Sequence, residues 1–128
     1  MTILVVDDHE IDRTVLVRIL QKLGYTADIA TNGLEAVALV KTKPYQLVFM
    51  DIHMPDMGGI TAASEILSST PSPLHIIAVT GDGYKRKRCI ELGMVDLIEK
   101  PIGIQRIRQS IDSLSLFPWP DREILTDV

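Results

Sequence analysis

This chain of 128 residues holds a single cysteine, Cys89, so no intrachain disulfide and no cysteine-rich zinc site can form. Long apolar runs are missing as well. Stretches such as Ile3–Val6 and Ile76–Val79 are four residues long, far short of the roughly 20 that cross a bilayer. No basic segment precedes an apolar one at the N-terminus, so no secretory leader is expected; a reducing, cytoplasmic setting without membrane contact by this domain fits. Aromatic residues make up only 5%, with Trp119 the sole tryptophan. Basic residues are absent from Pro44 to Tyr84 and then crowd Lys85–Arg108. That segment has seven basic residues against three acidic, net +4, and the remainder has six against fourteen, net −8. The overall acidity, and the lack of a helix-turn-helix pattern, argue against a nucleic-acid binder. Lys85–Arg88 reads as a solvated helix face that can steer a partner.

What is present suits one globular unit with a real core: 46% hydrophobic residues and a mean hydropathy of +0.19. Short apolar runs alternate with helical patterns along the chain. Strands are expected at Ile3–Val6, Thr26–Ala30, Gln46–Met50, Leu74–Val79 and Val95–Ile98. Between them, Ile11, Val15, Leu16, Ile19, Leu20 and Leu23 recur at helical spacing, stopped by Gly24. Asn32-Gly33-Leu34-Glu35 has the form of a capping box opening a second helix through Lys41. Ile60, Ala63, Ile66 and Leu67 mark a third helix, a fourth is expected near Tyr84–Leu92, ending at Gly93, and Ile104, Ile107, Ile111 and Leu114 mark the fifth. Repeated strand–helix units imply an α/β, doubly wound parallel sheet of five strands with five helices covering both faces.

In such sheets ligands bind beyond the carboxyl ends of the strands. The residues standing there are Asp7 and Asp8 after the first strand, Asp51 after the third, Thr80 after the fourth and Lys100 after the fifth. The second strand offers nothing comparable, which suits an edge. Packed carboxylates repel one another unless a cation neutralises them, and an all-oxygen, partly hydrated site favours magnesium, with manganese also suitable. Lys100 and Thr80 supply a point charge and a hydroxyl donor for the oxygens of a transferring phosphoryl group. Asp51 is then placed as a nucleophile forming an aspartyl phosphate. Any one of these residues alone would be an ordinary turn or cap residue; their joint placement on one rim is what points to function.

The stretches "ILVVDDHEIDR", "VFMDIHMPDMGG", "IIAVTG" and "GMVDLIEKPI" resemble the response-regulator receiver domain of two-component signalling, over about Ile3 to Leu114. "LGYTADIATNGLEA" is similar to receivers fused to hybrid histidine kinases. The resemblance implies a flavodoxin-like fold with strand order 2-1-3-4-5, a receiver domain over residues 1–116, and a tail or start of a linker over 117–128. It implies a phosphoacceptor signalling domain rather than an enzyme, with Asp51 receiving phosphate from a phosphohistidine on a histidine kinase or phosphotransfer protein. Magnesium would be held by Asp8, Asp51, the backbone carbonyl of His53 and, through water, Asp7. Thr80 and Lys100 would contact the phosphoryl group, and a downstream partner would read the fourth helix, fifth strand and fifth helix. A cis Lys100–Pro101 bond is expected, turning Lys100 back toward the acids.

The chain departs from the family at several positions. Leu97 stands where receivers often carry an aromatic switch residue, so transmission is expected through the loop after Thr80 instead. Gly58 replaces a common Asp. His53 and Asp82, each two residues beyond a rim residue, are candidate modulators of phosphoryl lifetime, whereas His9, His75 and Cys89 read as loop, strand and core residues. A haloacid-dehalogenase-type phosphatase would need an acid where His53 stands, and a flavin binder would need a glycine-rich loop in place of Asp7-Asp8. The alternative reading is a pseudo-receiver, an interaction module that works without phosphorylation. The tail's Trp119 is expected either to dock or to fray.

Overall fold

The anticipated segments form five strands and five helices in strict alternation. The computed structural model describes residues 1–54, 57–69, 74–81 and 83–114, except the side chain of Tyr84. The tail with Trp119 and the modulator candidate Asp82 therefore lie outside the described residues. Strands β1 (Ile3–Val6), β2 (Ala27–Ala30), β3 (Leu47–Asp51), β4 (His75–Thr80) and β5 (Asp96–Glu99) pair in parallel in the order β2-β1-β3-β4-β5. The helices are α1 (Glu10–Lys22), α2 (Gly33–Thr42), α3 (Gly59–Ser69), α4 (Arg86–Glu91) and α5 (Ile104–Leu114). None of the described helices is long and apolar enough to cross a membrane.

The central strands read as unbroken apolar runs because both faces of the sheet are covered. Alternation still sorts their side chains. Leu4, Val6, Val48, Met50, Ile76, Ala78 and Leu97 pack with α2, α3 and α4. Ile3, Val5, Leu47, Phe49, Ile77, Val79 and Ile98 pack with Leu16 and Leu20 of α1 and with Ile107, Ile111 and Leu114 of α5. The edge strand β2 leaves Asp28 and Ile29 exposed.

Strands β3, β4 and β5 each run one residue further than expected. The apolar pattern stops at the first polar residue, but the ladder does not: Asp51 pairs with Val79, and Thr80 with Glu99. Asp51 and Thr80 are thus final strand residues rather than loop residues. The fourth helix is shorter than anticipated. A single 3-10 turn over Gly83–Lys85 precedes the six residues of α4, consistent with the glycines that dilute helix propensity there. The capping box at α2 is also modified. Asn32 Oδ1 accepts from the Glu35 N–H at 2.8 Å, but Glu35 reaches back to Thr31, not to Asn32. Gly24 and Gly93, both at positive φ, end α1 and α4 as expected.

Two residues of the basic Lys85–Arg108 segment, Arg86 of α4 and Arg106 of α5, meet at Asp96. Its Oδ1 accepts from Leu97 N–H at 2.8 Å, from Arg86 at 3.1 Å and from Arg106 at 3.2 Å; its Oδ2 accepts from Ser110 Oγ at 2.9 Å. Both guanidiniums also donate to the Leu97 carbonyl. Burial alone would raise the Asp96 carboxyl; Arg106, Ser110 and the Leu97 N–H outweigh it and hold the pKa below its ordinary value. The node ties α4, β5 and α5 together. Because both arginines are partly exposed, Asp96→Ala should cost about 1–2 kcal/mol near neutral pH. A depressed carboxyl stabilises above its unfolded pKa and loses that contribution as pH falls through the folded one. Urea unfolding should therefore separate wild type from Asp96→Ala at neutral pH and bring them together in strong acid. Equal midpoints at neutral pH would show that the node contributes nothing.

Candidate functional site

Parallel strands deliver their carboxyl ends to one rim, and the cis Lys100–Pro101 bond found there lies between β5 and α5. Four of the five expected side chains approach one another closely on this rim. Carboxylate oxygens of Asp7, Asp8 and Asp51, with a ring nitrogen of His9, lie within 4.8 Å of one another. Lys100 Nζ stands 3.2 Å from Asp7 Oδ2 and 3.7 Å from Asp51 Oδ2. Thr80, the fifth, is fully buried at the end of β4, and its carbonyl accepts the Lys100 N–H at 2.8 Å.

Each acid is oriented by backbone. Asp51 is 2% exposed, and its Oδ1 accepts the His53 N–H at 3.0 Å. Asp7, also buried, accepts the His9 N–H at 2.9 Å. Asp7 and Asp8 thus do not cap α1: His9 is its N-cap and makes no side-chain cap bond. Two buried oxygens, Asp8 Oδ1 and Asp51 Oδ2, have no hydrogen-bond partner. His9 Nδ1 stands 3.2 Å from the former, an ion pair when the imidazole is protonated. Burial, reinforced by the charge of Asp7, pushes the Asp51 carboxyl up to about 6 against the opposing pull of the His53 N–H and Lys100. Leaving two carboxylate oxygens buried and unbonded is costly. A hard divalent cation would satisfy both, and the oxygen-rich donor set fits magnesium.

Burial works against the Lys100 ammonium, yet Asp12, Asp51 and Asp7 more than offset it and its pKa is raised. Asp12 was not legible as a rim residue. Its Oδ2 accepts from Lys100 Nζ at 3.0 Å. The available signal was positional: α1 starts at this rim, so an acid in its first turn lies beside the strand ends. Arg13 of the same turn donates to the Asp7 carbonyl at 2.9 Å. The backbone N–H of His53 holds Asp51, while its side chain is exposed. Leu97, 4% exposed, is packed among Ala78, Cys89 and Met94 in the core beneath α4. Cys89 is likewise core, and burial raises its thiol pKa.

A parallel α/β sheet carrying clustered acids and a lysine on its carboxyl rim defines a class of site suited to a divalent cation and a phosphoryl group. The response regulator receiver domain family matches residues 3–112, and the chain belongs to it. It is 38% identical to the hybrid signal transduction protein dokA of Dictyostelium discoideum over 85% of its own length, and spans 7% of that relative. The receiver domain of sensor histidine kinase PA1611 from Pseudomonas aeruginosa PAO1, solved with a magnesium ion in its active-site cleft, is similar in structure. Its TM-score is 0.80 at 28% identity, covering 88% of this chain and 94% of that one. The receiver domain of Ssk1 from Saccharomyces cerevisiae, solved in complex with the histidine phosphotransfer protein Ypd1, gives a TM-score of 0.78 at 27% identity, covering 87% and 86%.

Proposed function

We propose that Asp51 is the phosphoacceptor of a two-component system or phosphorelay, charged from a phosphohistidine on a histidine kinase or phosphotransfer protein. One observation carries this reading: the Asp51 Oδ2 atom, buried and without a hydrogen bond, lies among the other rim acids with Lys100 Nζ 3.7 Å away. A lone pair on Oδ2 forms the O–P bond as the donor's P–N bond breaks, and the leaving imidazole recovers a proton from solvent. Lys100 shifts from Asp7 and Asp12 to the transferring oxygens, whose negative charge it offsets. The Thr80 hydroxyl supports a further oxygen. Asp7, Asp8, Asp51 and the His53 carbonyl would hold magnesium, which when bound neutralises the acids and lets the phosphoryl group approach. The pseudo-receiver reading has no support, since the acids and the lysine converge on the same rim.

Transmission does not use an aromatic swing, because Leu97 is aliphatic. The change is carried instead by the segment after Thr80 toward α4, β5 and α5, where a downstream protein reads it. Incubation with phosphoramidate and magnesium should add the mass of one phosphate, and hydroxylamine should remove it. A protein that stays unlabelled under donor and magnesium excess would refute the proposal.

A further inference from the structure

We infer that Asp12 is a positioning residue that holds Lys100 away from Asp51 until a phosphoryl group arrives, an inference that rests on the phosphoacceptor reading above. The ammonium is surrounded by three carboxylates at unequal distances: Asp12 at 3.0 Å, Asp7 at 3.2 Å and Asp51 at 3.7 Å. Hydrogen bonds go to Asp12 and Asp7, and Asp51 Oδ2 receives none. Lys100 therefore rests on the side of α1, short of the atom it would serve.

Asp12 differs from the other two in what else acts on it. Asp7 and Asp51 belong to the cluster suited to a cation, and Asp12 does not. A cation there would draw on the charge of Asp7 and Asp51, leaving Asp12 as the remaining full carboxylate beside Lys100. The pair is not a freely solvated one. Asp12 and Lys100 line a cavity of about 170 Å³ whose apolar wall includes Val15, Leu16 and Ile102, so water screens the attraction from one side less than at an open surface.

The arrangement makes Asp12 a competitor of the phosphoryl group. Transfer requires Lys100 to leave Asp12, and the newly formed aspartyl phosphate, carrying about −1.5 to −2 charges like other phosphorylated side chains, outbids a single carboxylate. Hydrolysis restores the original contact. Asp12 thus slows charging and shortens the time Lys100 spends on the phosphoryl group.

The test is Asp12→Asn, which keeps shape and removes charge, together with Lys100→Gln and the double variant. With phosphoramidate and magnesium, Asp12→Asn should be labelled about fivefold faster than wild type, the factor expected for a partly shielded ion pair. Asp12→Glu should return the rate toward wild type. In the Lys100→Gln background the Asp12→Asn change should have no effect, a dependence that a merely structural role for Asp12 would not show. A metal-free crystal structure of Asp12→Asn should bring Nζ within hydrogen-bond distance of Asp51 Oδ2. Labelling of Asp12→Asn at or below the wild-type rate, or acceleration that persists without Lys100, overturns the inference while leaving Asp51 as acceptor. A wild-type protein that takes no phosphate removes both readings.

Discussion

Asp51→Asn is expected to abolish phosphate uptake and, at the same time, to stabilise the metal-free protein by on the order of 2 kcal/mol near pH 7. The two effects have one origin. The Asp51 carboxylate is almost fully enclosed, and its Oδ2 has no hydrogen-bond partner. Burial and the neighbouring Asp7 charge raise its pKa from 3.8 to about 6. The native state therefore binds the Asp51 proton more tightly than the unfolded chain does. By linkage, stability falls as pH rises from about 4 to about 6 and is fully reduced above that range. Asparagine is neutral throughout and keeps the acceptor for the His53 N–H. The difference in unfolding free energy between Asp51→Asn and wild type should thus be small near pH 4 and reach its full size above pH 6, as read by urea titration in a chelating buffer. Magnesium should then narrow the gap, because a cation bound only by the native acids stabilises wild type by mass action. A wild type more stable than Asp51→Asn under chelation would show that the buried carboxylate is compensated in some other way.

The rim was legible because a parallel sheet converts spacing along the chain into proximity. The Asp7-Asp8 pair, Asp51 and Lys100 are far apart in sequence, but each sits at or just past the end of an apolar run, so the topology alone brings them together. Asp12, Gly59 and Asp96 escaped for three different reasons. Asp12 is a first-turn helix acid, a common and usually solvated position, and only Lys100 arriving from the end of β5 gives it a partner at the rim. Asp96 opens a strand, and its meaning depends on Arg86, Arg106 and Ser110 arriving from two helices. The late ends of the third, fourth and fifth strands share a single cause: hydrogen-bond ladders are indifferent to side-chain polarity, so Asp51, Thr80 and Glu99 belong to strands that an apolar pattern ends one residue early.

Gly59 escaped because its role lies in what it lacks. It is buried at the first position of α3, and its N–H donates to the Ile52 carbonyl at 3.3 Å, drawing the start of the helix against the end of β3. A methyl group at this position would strike the Asp51 carbonyl oxygen and the Ile52 Cα, and would lie 2.8 Å from the Asp51 carbonyl carbon. These are backbone atoms, which cannot rotate away. Gly59→Ala should therefore destabilise the protein by about 3 kcal/mol, the upper end for overpacking a core. Any relief must come from moving α3 or the Asp51–Ile52 peptide, and the second route displaces the carboxylate itself. Since misplacing a reacting group by about 1 Å can cost roughly a hundredfold in rate, phosphorylation by phosphoramidate should fall far more than the folded fraction does. Gly58 is the matched control. A Cβ there meets only the Ile52 carbonyl oxygen, at 3.9 Å, and the residue directly precedes α3. Gly58→Asp should be neutral or add a few tenths of a kcal/mol by capping the helix. Denaturation midpoints and labelling rates of the two variants, measured side by side, decide the matter: equal behaviour at positions 58 and 59 would mean that the close approach of α3 to β3 does not position Asp51.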